Sequence, residues 1–229
     1  MNWDDIDLVI FDVDGTLYDQ RRLRARMLAA LLRGVVESRQ LLVPQVIGSF
    51  RRHREKLGSD LDANFVTLQY SLTAQACGCP EKVVRQIVKE WIERRPLAHV
   101  GRCIYPGVRS LFDALAASGR KVAVFSDYPA EAKLAALGLQ CPLTVSAEDG
   151  DVLRLKPHPA GLDKILRLTG VEAGRAILIG DRFDRDWQAA NSIGMKALIR
   201  ARRATPSALT FRSYADTLFE PLLGTTIPA

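Results

Sequence analysis

A parallel β-sheet covered by helices on both faces, with a block of extra helices inserted after the first strand, is the α/β fold this sequence predicts. Three observations predict it. Short apolar runs recur along the chain: LVIF at 8–11, VAVFSD at 122–127, LTVSA at 143–147, AILIGD at 176–181 and MKALI at 195–199. From residue 105 onward these runs alternate with helical segments, as parallel strands joined by helices do. Between 20 and 100, apolar residues recur at helical spacing and no strand signal appears.

The first run is apolar at every position, so it reads as a strand buried on both faces, and Gly15 marks the turn after it. In 20–38, Leu23, Met27, Leu31 and Val35 recur every fourth residue with arginines on the other faces, which predicts an amphipathic helix. Pro44 opens a second helix, with Val46, Ile47 and Phe50 inside, and Gly58 and Ser59 break it. A third, 61–76, carries Leu61, Phe65, Leu68 and Leu72 on one stripe and stops at the CGCP turn. Pro80 starts a fourth, with Val83, Ile87, Val88 and Trp91 facing inward, and Pro96 ends it. Beyond 105, helices ending at Gly119, Gly138, Gly170 and Gly194 separate the remaining strands. In the tail, Phe211, Tyr214, Leu218 and Leu222 fit a helix docked on the sheet, and the final TTIPA reads as frayed.

A chain of 229 residues with 48% hydrophobic and 25% charged content suits one sizeable soluble domain, or a core plus a smaller insert. No apolar run approaches the ~20 residues of a membrane span. The acidic start, MNWDDIDLVI, is unlike a signal peptide. Four cysteines are too few for a disulfide scaffold, so reduced thiols in a cytoplasmic protein are expected. Cys77 and Cys79 lack the second pair that zinc needs. Net charge is +6, mostly from arginines at 21–26, 51–54 and 200–203. No aromatic or recognition-helix pattern accompanies them, which argues against nucleic acid and for solvated faces that attract anionic substrates.

The chemistry gathers at strand ends, where open parallel sheets bind ligands. Asp12 and Asp14 follow the first strand and, at i and i+2, share a face if the chain stays extended. Such a pair needs a cation, donors or a shared proton. Ser126 ends the second strand, Lys156 lies in the loop after the third, and Asp181, Asp184 and Asp186 follow the fourth. Singly these are caps or solvated residues; together they are the inventory of a phosphoryl-transfer site.

DVDGT at 12–16, the strand ending in Ser126, Lys156 in LKPHP and IGDRFDRD at 179–186 resemble, in order and spacing, the motifs of the haloacid dehalogenase-like (HAD) superfamily, phosphatase branch. The resemblance covers about residues 6 to 200. It implies a Rossmann-like doubly wound core of strand order 5-4-1-2-3, formed by 1–19 and 101–229, and a helical cap at 20–100. It further implies a Mg²⁺-dependent hydrolase of a small phosphorylated metabolite. Asp12 would be the nucleophile, giving an aspartyl-phosphate. Asp14, with its pKa raised by Asp12, would be the general acid and base. Ser126, Lys156 and the main-chain N–H groups of Val13 to Gly15 would hold the phosphate, with Lys156 also keeping Asp12 ionised. Mg²⁺ would sit on the Asp12 carboxylate, the Asp14 main-chain oxygen and Asp181. Asp186 would support the site from behind, with Asp184 as the alternative ligand.

Two positions depart from the pattern. Asp127 stands where many relatives have Asn, adding negative charge beside the phosphate site, and Arg182 replaces a small hydroxyl residue. His158 is either a loop residue or part of the site entrance. Tyr18 and the arginines at 21–26 enter the cap close to where a leaving group would lie. Competing readings are a sugar phosphomutase on the same Asp pair, and a catalytically silent protein that binds a phosphorylated metabolite.

Overall fold

The computed structural model describes residues 1–38, 41–59, 64–203 and 208–224, with backbone alone at 33–38. Its centre is β1 (Leu8–Phe11), buried at every position. Strands β2 (Lys121–Ser126), β3 (Leu143–Ser146), β4 (Ala176–Gly180), β5 (Lys196–Arg200) and β6 (Leu209–Phe211) complete a six-stranded sheet of order β3-β2-β1-β4-β5-β6. Every pairing is parallel, with Leu8 opposite both Lys121 and Ala176. Parallel strands flanked by neighbours must be apolar on both faces, which is why these runs do not alternate with polar residues.

The period of two nonetheless sorts them. Val9, Phe11, Val124 and Ile179 face one core, with α6 (Val108–Ala117) and α7 (Glu131–Leu137). Leu8, Ile10, Phe125 and Leu178 face the other, with α8 (Ala160–Thr169) and α9 (Gln188–Asn191). Gly161 lets α8 lie against the Phe125 ring, because a Cβ there would overlap it.

Between β1 and β2 run α1 (Gln20–Ser38), α2 (Leu42–Leu57), α3 (Phe65–Cys77) and α4 (Glu81–Val88), then a π-helical turn at Lys89–Arg94 and α5 (Leu97–Val100). They carry their own apolar cluster around Val46, Phe50, Val84, Val88 and Ile92. Asp19 accepts the Arg22 N–H at 3.0 Å, so the acid that ends the first motif also starts α1.

The structure revises several details. Leu61 lies outside the described residues, as does the side chain of Val35. The buried stripe of α3 is Phe65, Gln69 and Thr73, while Leu68 is exposed. Polar groups take that face because Gln69 accepts a hydrogen bond from Arg54 and Thr73 donates to the Gln69 carbonyl. In α4 the buried side chains are Val84 and Val88, with Ile92 following in the π-helical turn; Ile87 and Trp91 pack half-buried against them, and Val83 does not join the cluster. The tail is an edge strand as well as the short helix α10 (Glu220–Leu223), since Phe211, Tyr214, Phe219 and Leu222 all close one core. No helix among the described residues is long and apolar enough to cross a membrane.

Candidate active site

The C-terminal ends of β1, β2 and β4 open into a cavity of about 210 Å³, roofed by α1 and α2 and lined by Asp12, Asp14, Ser126, Lys156, Asp181 and Asp186. Most of the residues singled out from the sequence are therefore brought together, while Asp184, His158, Val13 and Gly15 are not among the lining residues.

Asp12 is the best-buttressed of them. Lys156 Nζ lies 2.5 Å from one carboxylate oxygen, and Thr16 Oγ1 donates to the other at 2.8 Å. The same Nζ lies 2.6 Å from Asp186. Lys156 is 2% exposed, and the ammonium is retained because Asp12 and Asp186 outweigh the cost of burial, pushing it well above the usual lysine range. Lys156 acts on Asp12 in the direction that favours the carboxylate, against burial and the neighbouring acids. Burial pushes the Asp12 carboxyl up, Lys156 pulls it down, and Asp186 and Asp181 push it up again, for a net position well above the ordinary range. One ammonium does not neutralise this group of acids.

Asp14 points elsewhere. Lys133 Nζ lies 2.7 Å from both of its oxygens, and Tyr18 Oη donates to one of them. The expected rise in its pKa is overturned. Burial does push it up, but Lys133 and Tyr18 hold the carboxyl below the usual range. The strand ends at Phe11, so the alternation that would have kept the two acids side by side stops before Asp12. Lys133 sits on α7 in EAKLAAL, which reads as a solvent face in the sequence; only the packing of α7 beside β1 turns it inward.

Asp12, Asp181 and Asp186 each bring a carboxylate oxygen within 4.8 Å of the others. The Asp181 carboxyl is pushed up to about 7 by burial and by the Asp186 charge. Gly15, at φ +99, is required here: a Cβ would overlap the Asp181 carboxylate. This all-oxygen donor set, short of positive charge, fits a hard divalent cation such as Mg²⁺.

Asp186 is almost fully buried and accepts the Asp181 and Arg182 N–H groups at 3.1 and 3.0 Å. Asp184 pairs with Arg182 and is 62% exposed, away from the cluster. Asp127 turns from the cavity centre and accepts the Lys156 N–H at 3.1 Å, fixing the lysine loop. Ser126 Oγ accepts the Tyr128 N–H at 3.2 Å, which leaves its hydroxyl proton for an acceptor in the cavity. His158 accepts the Ala160 N–H at 3.1 Å at the start of α8, a loop residue and not part of the lining.

Three arginines join α2 to the sheet edge. Arg54, buried, pairs with Glu148 at 3.0 Å and donates to the Asp127 carbonyl. Arg182 pairs with Glu55, and Arg185 donates to the Glu55 and Lys156 carbonyls at 2.8 and 2.5 Å. Gly58 makes room for Arg185, whose guanidinium a Cβ would overlap. None of these contacts is signalled by local spacing. Arg182, a departure from the family pattern, is explained by its reach to Glu55.

Comparisons with known proteins agree with this fold. A 2-haloacid dehalogenase from Pseudomonas syringae pv. Tomato DC3000 superposes with a TM-score of 0.65 at 24% identity, over 96% of this chain and 98% of that one. A HAD phosphatase from Thermococcus onnurineus gives 0.64 at 20% identity, over 96% and 98%. At these identities the likeness is one of fold. A phosphoglycolate phosphatase from Rhodospirillum rubrum is 38% identical over 108 residues, 45% of this chain and 43% of that protein. The chain spans about half the length of the curated relatives it matches. The model of the haloacid dehalogenase-like hydrolases matches residues 6–194, and the chain belongs to that family.

Proposed function

We propose that this protein is a Mg²⁺-dependent phosphomonoester hydrolase that works through an aspartyl-phosphate on Asp12. The observation that carries the reading is the separation of the two acids: in one cavity, Asp12 is held by Lys156 and Asp14 by Lys133. One carboxylate is thereby free to attack while the other handles protons.

Asp12 attacks phosphorus, and the bond from phosphorus to the leaving oxygen breaks. The leaving oxygen takes a proton through Asp14, supplied by the Lys133 ammonium 2.7 Å away. Water then attacks the aspartyl-phosphate, gives its proton to Asp14, and inorganic phosphate departs. Ser126, Lys156 and the N–H groups of Val13 and Gly15 bind the phosphate oxygens. Thr16 positions Asp12 through its hydrogen bond. Asp12, Asp181 and the Asp14 main-chain oxygen would hold Mg²⁺, with Asp186 orienting the loop that carries Asp181. Bound there, Mg²⁺ supplies charge neutralisation for the phosphoryl group.

The helices at 20–100 act as a cap that closes the cavity and selects the leaving group, and the segments 1–19 and 101–229 form the core beneath it. A phosphoglycolate phosphatase among the relatives supports a small phosphorylated substrate, as does the size of the cavity, below the ~300 Å³ at which pockets for drug-sized ligands begin. The test is phosphate release from an aryl phosphate with Mg²⁺, together with acid-stable trapping of labelled phosphate on the protein. Both are expected in the natural sequence and neither in Asp12→Asn. Turnover that persists in Asp12→Asn would overturn the reading.

A further inference from the structure

The cations of the cavity divide into two groups. Lys156 and Lys133 face Asp12 and Asp14, Arg54 faces Glu148, and Arg182 and Arg185 face Glu55. Arg24, from α1, and Arg51, from α2, also line the cavity, yet neither guanidinium has a hydrogen bond or ion pair among the described residues. Burial, and after it the nearby Arg24 charge, press Arg51 below the usual arginine range, against a smaller opposing pull from Asp14. Two like charges facing one cavity with no paired carboxylate of their own repel each other, and an anion between them removes that cost. Guanidinium groups suit this task, because their fork matches a carboxylate or a phosphate. The acids nearby are already engaged: Glu55 by Arg182 and Arg185, and Asp14 by Lys133 and Tyr18.

We propose that Arg24 and Arg51 form a second anion subsite, so that the substrate is a short phosphomonoester carrying a carboxylate or a second phosphate at the end remote from the transferred group. This inference rests on the phosphatase reading above and adds the class of leaving group. Both arginines come from the inserted helices while the reacting acids come from the sheet edge. A doubly anionic substrate would therefore bridge the two parts of the molecule, and its length is limited by a cavity of about 210 Å³.

The experiment compares matched phosphoesters with Mg²⁺: 2-phosphoglycolate, ethylene glycol bisphosphate and 2-hydroxyethyl phosphate, with an aryl phosphate as reference. The anion-tailed esters are expected to have kcat/KM at least about ten-fold above the hydroxyl-tailed one, chiefly through KM. The ratio between the two anionic esters tells which anion the subsite takes. In Arg51→Gln and Arg24→Gln that preference is expected to collapse towards unity, with partial recovery in Arg51→Lys. Hydrolysis of the aryl ester with no preference for an anionic tail, or a preference unchanged in both Gln variants, overturns the subsite and leaves the phosphatase reading standing. No hydrolysis of any ester overturns both.

Discussion

Lys133 and Asp14, 119 residues apart in the chain, form the ion pair that gives the two acids of the DVDGT loop different characters: Nζ lies 2.7 Å from each Asp14 oxygen. Asp12, two residues earlier, is left to Lys156 and the acidic cluster.

Lys133→Met should therefore raise the pKa of Asp14, because burial then acts with less opposition. With the ammonium that supplies the proton gone, kcat is expected to fall by about 10²-fold or more, the usual worth of proton transfer. For stability, a carboxyl with a depressed folded pKa contributes fully above its unfolded value of about 3.9 and loses that contribution as pH falls through the folded value. Acid denaturation curves of the natural protein should show this loss below about pH 4. In the variant the carboxyl is raised instead, so the loss of stability grows towards neutral pH.

Lys156→Met removes the cation shared by Asp12 and Asp186, both buried. Leaving buried charge uncompensated costs about 3–5 kcal/mol. Urea unfolding at neutral pH should show a loss of that order.

Gly15→Ala tests the close approach of the loop to Asp181. Strain at φ +99 and overlap with the carboxylate act together, for a cost of at least about 1 kcal/mol. The thermal midpoint and the affinity for Mg²⁺ should fall together, since the displaced side chain is one of the proposed donors.

Mg²⁺ itself should raise the thermal midpoint, as any ligand of the folded state does, through a stabilisation of about 2.7 kcal/mol at a hundred times Kd. Asp181→Asn should abolish that rise. Asp184→Asn should keep it, because Asp184 is exposed and held by Arg182.

Tyr214→Phe tests the tail. Tyr214 Oη donates to the Thr16 carbonyl at 2.9 Å, deep in the core. Losing it should cost about 1 kcal/mol, read by denaturant unfolding.

Much of the site was legible because its residues sit at strand ends and turns. Asp12, Ser126, Lys156 and Asp181 are placed by features that repeat within a few residues: an apolar run, a break, a polar group. The choice of Asp186 over Asp184 was not legible. The two lie on one turn, and only the π-helical geometry at Phe183–Trp187 points one inward and the other out. The burial of Gln69 and Thr73 was missed for a related reason: polar residues look like a surface until their partners are known.

The sequence by itself determined the first five strands, their parallel arrangement and the acids at their ends, because apolar periodicity and turn residues act over a few positions; the edge strand β6 was not among them. Tertiary structure alone decided which cation meets which acid. Lys133 reaches Asp14 only because α7 packs beside β1, Arg182 reaches Glu55 only because α2 lies over the sheet edge, and Arg24 and Arg51 share a cavity only because α1 and α2 converge on it. These pairings depend on distances set by packing between elements, and charge alone, read along the chain, carries no record of them.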